Sequence, residues 1–498
     1  MVLPAAPHRR DTKMSLAKKI FGVGIWTGAS RLLGFARDML IGRYLGAGRL
    51  SDIFVAAFKL PNLFRDLLGE GALSSVFIPM FAKEKKSTSF ASNALSWLVV
   101  VLLIITALME IFMPLVMLGL APGFDAAKLS LTIEIGRIMF AYVILVCVFG
   151  FMCAVLNAFS DFILAAALPI LLNVFLIAAL ILFGADLHAL ALAVLAAGIT
   201  QIAVIFGRLS RKGFGIRLVY PKWTPAMKSM IRRMGWGLLG SGFYQLNIFV
   251  GMLLASYQSG AVSWLYYSDR MVQLPFAIVG LAAGTVILTK LSDALNAGKT
   301  DAAHRYQNAA LRQSMMLVLP CAAGLFALAP PIIKLLFQHG EWTAEATASV
   351  ALAIMIQVFA LPFMTTSQIY LKTLYASGDA KTPVKVGAVA LGLGAAVMVL
   401  AAPQFGYLCV PIGTVSSGLV RNLWLRGVCV RRGLYRTDGR TVLSVASFWL
   451  LSILAAIGMF FARPLVTSLA SLALVLVLVP IIYLPLAIVC DKMITKKT

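Results

Sequence analysis

Residues 30–84 embed Arg31, Arg37, Asp38, Lys59, Arg65, Asp66 and Glu70 in two otherwise apolar runs. An ionised side chain at the bilayer centre costs about 3 kcal/mol or more, so such residues face a cavity or one another. Arginine carries a planar fork of donors that matches phosphate oxygens two at a time. Arg37, Arg65 and Arg270 have no acid at i±4 or i±7 on their own helices. A set of such forks suits a diphosphate better than a cationic drug. The competing reading is internal ion pairing. Arg31 and Asp38, Asp52 and Lys59, and Lys59 and Asp66 are each seven residues apart and share a helical face. Arg137 stands one turn from Glu134, where pairing and ligand contact are both open.

The elements that must position these groups are membrane helices. The chain has 498 residues, 61% hydrophobic and 12% charged, with a mean hydropathy of +0.92. Soluble domains are about a quarter charged, so the composition is that of an all-α polytopic membrane protein. The net charge of +24 does not point to nucleic acid, because the cations cluster in short segments between apolar runs. Cys147, Cys153, Cys321, Cys409, Cys429 and Cys490 lie mostly in apolar stretches without metal-ligand spacing and are expected to be buried thiols. Residues 1–15 are polar, lack the apolar core of a signal peptide, and are expected to be a disordered cytoplasmic tail.

A spanning helix needs about 20 apolar residues. Fourteen stretches qualify: about 16–45, 51–82, 90–118, 129–158, 162–183, 187–207, 226–257, 262–290, 306–328, 346–374, 384–402, 406–430, 441–461 and 466–490. The first two are long, with Gly34, Pro61, Gly69, Gly71 and Pro79 as expected kink points. With the N-terminus inside, inner segments carry 32 Lys and Arg and outer segments five: Arg43, Arg49, Lys128, Lys334 and Arg463. Both termini are therefore expected in the cytoplasm. Six cations remain within spans: Arg31, Arg37, Lys59, Arg65, Arg137 and Arg270. Acids on the same spans are Asp38, Asp66, Glu70, Glu134 and Asp269. The polar cavity is thus expected among spans 1, 2 and 8, with span 4 nearby.

Leu156-Asn-Ala-Phe-Ser-Asp161 and Leu374-Tyr-Ala-Ser-Gly-Asp379 recur at an offset of 218, and Leu60-Pro61 and Leu274-Pro275 at 214. Together they suggest two six-span lobes, 16–207 and 226–430, related by a parallel repeat. Transporters of this build bind substrate near the midplane and rock between two states. A basic linker (208–225), a cytoplasmic loop (431–440) and a cytoplasmic tail (491–498) complete the plan. The two extra C-terminal spans, 441–490, are nearly bare of polar groups; they are either ordinary bilayer packing or a groove for a long lipid tail.

Enzymatic signatures are missing from the sequence. There is no GxxxxGK[ST] or HExxH, and His8, His188, His304 and His339 are scattered. No enzyme activity, cofactor or metal is expected. Gly280 and Gly284 suit close helix packing. Gln245 and Asn247 either line the cavity or join helices. Pro330-Pro331 and the residues to Trp342 read as a short amphipathic helix on the outer surface, with Trp342 at the interface.

Several blocks carry a family resemblance: Ser30-Arg31-Leu-Leu-Gly34-Phe-Ala-Arg37-Asp38, Ala57-Phe-Lys-Leu-Pro61-Asn62, Glu70-Gly71-Ala72 and Phe77-Ile-Pro79. Further along stand Ser263-Trp264-Leu-Tyr-Tyr-Ser-Asp269-Arg270, Leu336-Phe337-Gln-His-Gly340 and Tyr375-Ala-Ser-Gly-Asp379-Ala-Lys-Thr382-Pro383. Over its whole length the chain resembles the bacterial lipid II flippases (MurJ/MviN) of the multidrug/oligosaccharidyl-lipid/polysaccharide exporter superfamily. The resemblance implies a multi-pass inner-membrane flippase that carries the undecaprenyl-diphosphate-linked disaccharide pentapeptide to the outer leaflet. It implies Arg31, Arg37 and Arg270 as essential cavity arginines, with Asp52, Arg65 and Glu70 as sensitive neighbours. Ser30, Asp38, Lys59 and Asp269 complete the expected substrate-binding set. The implied partners are lipid II, membrane lipids and, functionally, the enzymes that make and use lipid II. The chain departs from the family at Asp66, where an arginine is common, and at Gln273, where an acid is common. Span 7 has no acid, so sodium coupling is not expected. Other readings are a flippase for another polyprenyl-diphosphate glycan, a drug/cation antiporter, or a scaffold for wall synthesis.

Sidedness is open to labelling. Cysteines introduced at Ser259 and Gln404 are expected to react with an impermeant reagent from outside, and at Thr88 and Lys212 only from inside. The reverse pattern at any two sites would overturn the fourteen-span topology.

Overall fold

In a computed structural model, residues 16–66, 72–277, 291, 293–294 and 297–496 are described. Gly69, Glu70, Gly71, Gly280, Gly284 and the expected N-terminal tail lie outside these residues. The described residues are helical, without a strand. In order the helices are α1 (Leu16–Leu45), α2 (Arg49–Phe64), α3 (Ala72–Lys83), α4 (Thr88–Leu120), α5 (Ala126–Phe140), α6 (Tyr142–Ala158), α7 (Phe162–Ala167), α8 (Pro169–Phe183) and α9 (Leu187–Arg211). There follow α10 (Pro225–Ala255), α11 (Ala261–Pro275), α12 (Thr300–Phe337), α13 (Ala344–Gln357), α14 (Ala360–Ala376), α15 (Lys381–Phe405), α16 (Cys409–Arg431), α17 (Gly439–Ala462) and α18 (Leu469–Lys496).

Among the described residues, eight helical stretches are long and apolar enough to cross a membrane; α13 and α14, bent by 40° at their junction, make a ninth. α1, with its embedded charges, and α2, only 16 residues long, fall outside that set. α1 runs unbroken through Gly34, and Pro61 and Pro79 lie inside α2 and α3. Cys147, Cys409 and Cys429 are buried as expected, whereas Cys321 is exposed.

The chain folds as two compact units. One comprises Met1–Leu40, Leu60–Ile111 and Ile135–Leu238; the other comprises Ile41–Lys59, Phe112–Glu134 and Leu239–Thr498. This division does not follow the lobe boundaries expected from the sequence, because the α1–α2 and α4–α5 connections fold with the second unit. In the first, α9 packs on α6 and α8. Gly198 of α9 sits where a Cβ would meet the Tyr142 ring at 2.9 Å, so only hydrogen fits there. In the second, α15 crosses α16 so closely that a Cβ on Gly413 would lie 2.7 Å from the Gly394 carbonyl, the small-residue contact that membrane helices favour.

The repeated LxAxxD segments adopt the same local geometry within each unit. α6 ends with Ser160 in the left-handed region (φ 60°) and Asp161 N–H donating to the Leu156 carbonyl at 3.3 Å. α14 ends with Gly378 at φ 83° and Asp379 N–H donating to the Leu374 carbonyl at 2.9 Å. Asp161 accepts from Arg208 Nη2 at 2.8 Å and lies 3.1 Å from Lys212 Nζ. Asp379 accepts from Thr382 N–H at 2.9 Å and from Thr382 Oγ1 and Arg432 Nη1. These donors, Thr382 foremost, hold the Asp379 carboxyl below the usual carboxylate range. The parallel extends further: Asn93 Nδ2 donates to the Lys222 carbonyl at 2.9 Å, and Asn308 Nδ2 to the Arg436 carbonyl at 2.8 Å.

The segment after Pro330-Pro331 corrects a sequence expectation. It is no separate surface helix: α12 continues through both prolines to Phe337. Proline has no N–H, so Pro330 and Pro331 leave the carbonyls of Phe326 and Ala327 without their i+4 donors. The Arg463 guanidinium supplies both, donating through Nε to Ala327 O and through Nη2 to Phe326 O at 3.3 Å. Trp342 is likewise not at an interface. It is 3% exposed, packs on Phe337 and Tyr267, and donates Nε1–H to Thr347 Oγ1 at 3.0 Å.

Arg463→Ala is expected to lower stability in detergent by about 1–3 kcal/mol, the cost of leaving buried acceptors open. In a Pro330→Ala/Pro331→Ala background the helix regains its own donors, and the same substitution is expected to cost less than about 1 kcal/mol. Equal losses in both backgrounds would show that the guanidinium acts otherwise.

Candidate functional site

α1 builds the first cluster. Arg37 and Asp38 are 6% and 3% exposed. Arg37 donates to Asp38 Oδ1 through Nε at 3.1 Å and Nη2 at 2.6 Å, and to Asn173 Oδ1 through Nη1 at 3.0 Å. Asn173, on α8, returns an Nδ2–H to the Ser30 carbonyl at 3.1 Å. One amide thus ties two turns of α1 to α8 and fixes the direction of the Arg37 fork. Arg31 is exposed on the same helix.

This geometry corrects the view that Arg37 and Arg65 lack a neutralising acid. Arg37 pairs with Asp38, and Arg65 with Asp66 at 3.1 Å, in each case the adjacent residue. A long arginine stem folds back along the helix far enough to meet its neighbour. The i, i+7 pairs of the competing reading do not form among the described residues. Seven residues rise roughly 10.5 Å along a helix, beyond contact for most side chains. Arg137 finds Glu110 of α4 at 3.8 Å.

A second cluster centres on Asp52, which is fully buried at the start of α2. Its Oδ2 accepts from Lys128 Nζ at 2.7 Å and Gly260 N–H at 2.9 Å; its Oδ1 accepts from Ser263 N–H at 2.8 Å and Ser263 Oγ at 2.6 Å. Lys128 is no loop cation in water: its side chain is 5% exposed, and Nζ stands 3.8 Å from the Phe124 ring centroid. The same end is tied by Trp264 Nε1 to the Ala47 carbonyl (2.9 Å), Gly123 N–H to Ser256 Oγ (3.0 Å) and Glu341 N–H to the Arg43 carbonyl (2.9 Å). Gly340, at φ 63°, is required there, since a Cβ would lie 2.3 Å from the Arg43 carbonyl. These bonds fasten the α1–α2 and α4–α5 connections onto α10–α11 and the loop after α12.

The third cluster is on α11. Asp269 accepts a hydrogen bond from Gln357 Nε2, and Lys59 and Arg270 are the cations whose field reaches it. Arg270 lies against Tyr266, its guanidinium 5.1 Å from the ring centroid and Nη2 donating to the hydroxyl at 3.3 Å. Glu70 lies outside the described residues. Of the expected set, Ser30, Arg31, Arg37, Asp38 and Arg65 belong to the first unit, and Asp52, Lys59, Asp269 and Arg270 to the second.

An apolar groove of about 370 Å³ lies in the second unit, lined by Leu319, Phe326, Phe359, Ile453, Ile457 and Phe460 among others. Of the two C-terminal spans, α17 lines this groove, together with α12 and the α13–α14 junction. α18 stands behind, and the two are not bare of polar groups. Tyr483 and Ser452 bond at 3.2 Å, and Ser444 donates to Asp491, which also meets Arg312 at 3.2 Å.

Sequence reasoning missed Asn173, Lys128 and Gln357. Asn173 had a signal, being the lone amide in the apolar run PILLNVFLIAALILF. Lys128 had none, because a lysine between spans looks like any loop cation.

A family model described as lipid II flippase MurJ matches residues 41–491. The chain is 35% identical over 439 residues to a probable lipid II flippase MurJ of Rhizobium tropici, covering 85% of this chain and 81% of that one. It is 34% identical over 441 residues to the probable lipid II flippase MurJ of Rhizobium meliloti (strain 1021), covering 85% and 82%. In fold it is similar to the solved structure of lipid II flippase MurJ in an inward closed conformation. That match has a TM-score of 0.79, 20% identity and coverage of 95% of this chain and 98% of that one.

The buried pair and the exposed arginine of α1 differ in what their removal does to stability. Arg37→Ala strands the buried Asp38 carboxylate and is expected to cost about 3–5 kcal/mol. Adding Asp38→Asn should recover most of that loss, while Arg31→Ala should leave thermal stability unchanged. An Arg37→Ala variant as stable as the parent would overturn the paired geometry.

Proposed function

Since the chain belongs to the lipid II flippase MurJ family, we propose that it carries lipid II from the cytoplasmic to the outer leaflet by alternating access. The observation that carries this is the extent of the match. Residues 41–491 include the Asp52 cluster, Arg270 and the apolar groove, so the resemblance is not confined to generic membrane helices. The protein is a transporter and performs no covalent chemistry.

The excess of inner cations, 32 against five, supports an inner-membrane protein with both termini in the cytoplasm. Arg31, Arg37 and Arg270 each offer a fork to the diphosphate, and Arg65, Lys59 and Glu70 tune the charge around them. Asp38 and Asn173 hold Arg37 ready, so the arginine exchanges one anionic partner for another instead of being ordered from a free state. Ser30 and Asp269 complete the set. Asp52 belongs to the same set, held by Lys128, Gly260 and Ser263. The groove beside α17 takes the undecaprenyl tail, which no polar pocket could solvate. Enzymes that make and use lipid II are the functional neighbours of this cycle.

The headgroup moves negative charge outward. An inside-negative potential favours that by about 2.3 kcal/mol per charge per 100 mV, which makes the potential the bias on the cycle.

In cells that depend on this chain, its depletion is expected to leave lipid II in the inner leaflet, shielded from an externally added lipid II-cleaving enzyme. Parent chain should restore cleavage and Arg31→Ala should not. Unchanged outer-leaflet lipid II after depletion would refute the flippase reading. Restoration by Arg31→Ala would refute only the role of that arginine.

A further inference from the structure

We propose that residues 213–224, with the helix ends that flank them, form a docking surface for the anionic phospholipid headgroups of the adjacent leaflet. α9 ends at Arg211, Gly213 follows in the left-handed region (φ 74°), and residues 214–224 then run without regular secondary structure to α10. A segment outside both helix and sheet must find partners for its backbone groups elsewhere. Here α4 supplies them. Ser92 Oγ accepts from Arg217 N–H at 3.1 Å, Ser96 Oγ from Val219 N–H at 2.9 Å, and Asn93 Oδ1 from Lys222 N–H at 2.7 Å. The Lys222 carbonyl accepts from Asn93 Nδ2 at 2.9 Å and Trp97 Nε1 at 3.1 Å. The strap is therefore held in place along one side, and its other side is free.

Its two halves differ in what they do with apolar groups. Phe214 and Ile216 are buried, Phe214 against Phe81 and Phe159. Beyond them Leu218 is 66% exposed, Tyr220 86% and Trp223 58%. The depth of this face can be read from α4. Trp223 packs on Trp97 with ring centroids 4.8 Å apart. The lipid-facing side chains of α4 begin at Val101, about 6 Å further along the helix axis. The exposed face therefore lies at the level of the headgroups, where tryptophan and tyrosine are favoured.

Charge identifies the occupant. Residues 208–233 hold eight Lys and Arg, and no Asp or Glu occurs from 187 to 268. Asp161 meets Arg208 and Lys212. Arg211, Arg217, Lys222, Lys228, Arg232 and Arg233 have no carboxylate partner among the described residues. Cations interleaved with exposed apolar rings match a surface that is anionic outside and apolar beneath. The contact would fix the depth at which the first unit rides in the membrane. It shares only its sidedness with the proposed function, and its test does not read transport.

The full chain, lacking the accessible cysteines Cys153, Cys321 and Cys490, would be labelled with bimane at Leu218→Cys. It would be reconstituted in phosphatidylcholine vesicles containing about one-third phosphatidylglycerol, with bromine on the chains of one lipid or the other. Brominated phosphatidylglycerol is expected to quench about twofold more than its mole fraction predicts, and the excess should vanish near roughly 1 M salt, where screening shortens to about 3 Å. Arg217→Gln/Lys222→Gln should abolish the excess with no change in melting temperature. Quenching that follows mole fraction would overturn the lipid preference. No quenching by either lipid would place the strap in water and overturn the surface itself. Depletion of the chain without effect on lipid II would leave this result standing.

Discussion

Hydrocarbon offers no partner to a charge or to an open backbone group, and every polar feature of this chain is shaped by that lack. Asp52 collects two backbone donors, a hydroxyl and an ammonium, so that no lone pair on its carboxylate is left bare. The Arg463 guanidinium meets two carbonyls that consecutive prolines leave open, and this lets α12 run on where a proline pair would ordinarily end a helix. Asn173 bridges Arg37 and the Ser30 carbonyl with a single amide. In each case one side chain answers a cost incurred on a different helix. The same bonds that satisfy the chain therefore also join it.

A transporter needs some of these bonds to be exchangeable. The Asp52 cluster joins elements far apart in sequence through four hydrogen bonds to one carboxylate, a small number to break together. Other ties are more local. Asp161 with Arg208 and Lys212, and Asp379 with Thr382 and Arg432, close the turn between neighbouring helices. Apolar packing behind these turns, such as the Phe77, Phe81, Phe151 and Phe159 rings, leaves little freedom inside a unit. Bonds that close turns between neighbouring helices and bonds that gather distant segments onto one carboxylate are thus of different kinds.

Class, helical composition and family were legible in the chain itself, because each depends on residue type and short-range spacing. Apolar length reports a membrane helix whatever surrounds it, and Leu156 to Asp161 announces the same turn as Leu374 to Asp379 because a helix end is a local structure. The charged residues of α1 and α11 were equally plain, since ionisable groups in apolar runs stand out by composition alone.

Pairing was not legible. Helical periodicity assigns Arg31 to Asp38 and Asp52 to Lys59, yet Asp38 turned to Arg37 and Asp52 to Lys128, Gly260 and Ser263. Nor did any spacing announce that Lys128 is buried, that Trp342 packs inside against Phe337, or that Arg463 completes a helix more than a hundred residues earlier. A charge in a low-dielectric surrounding takes whichever partner the packing brings within reach, and that distance is set by helices meeting in three dimensions. Spacing along one helix states which face a residue shares; only the folded arrangement states what lies opposite that face.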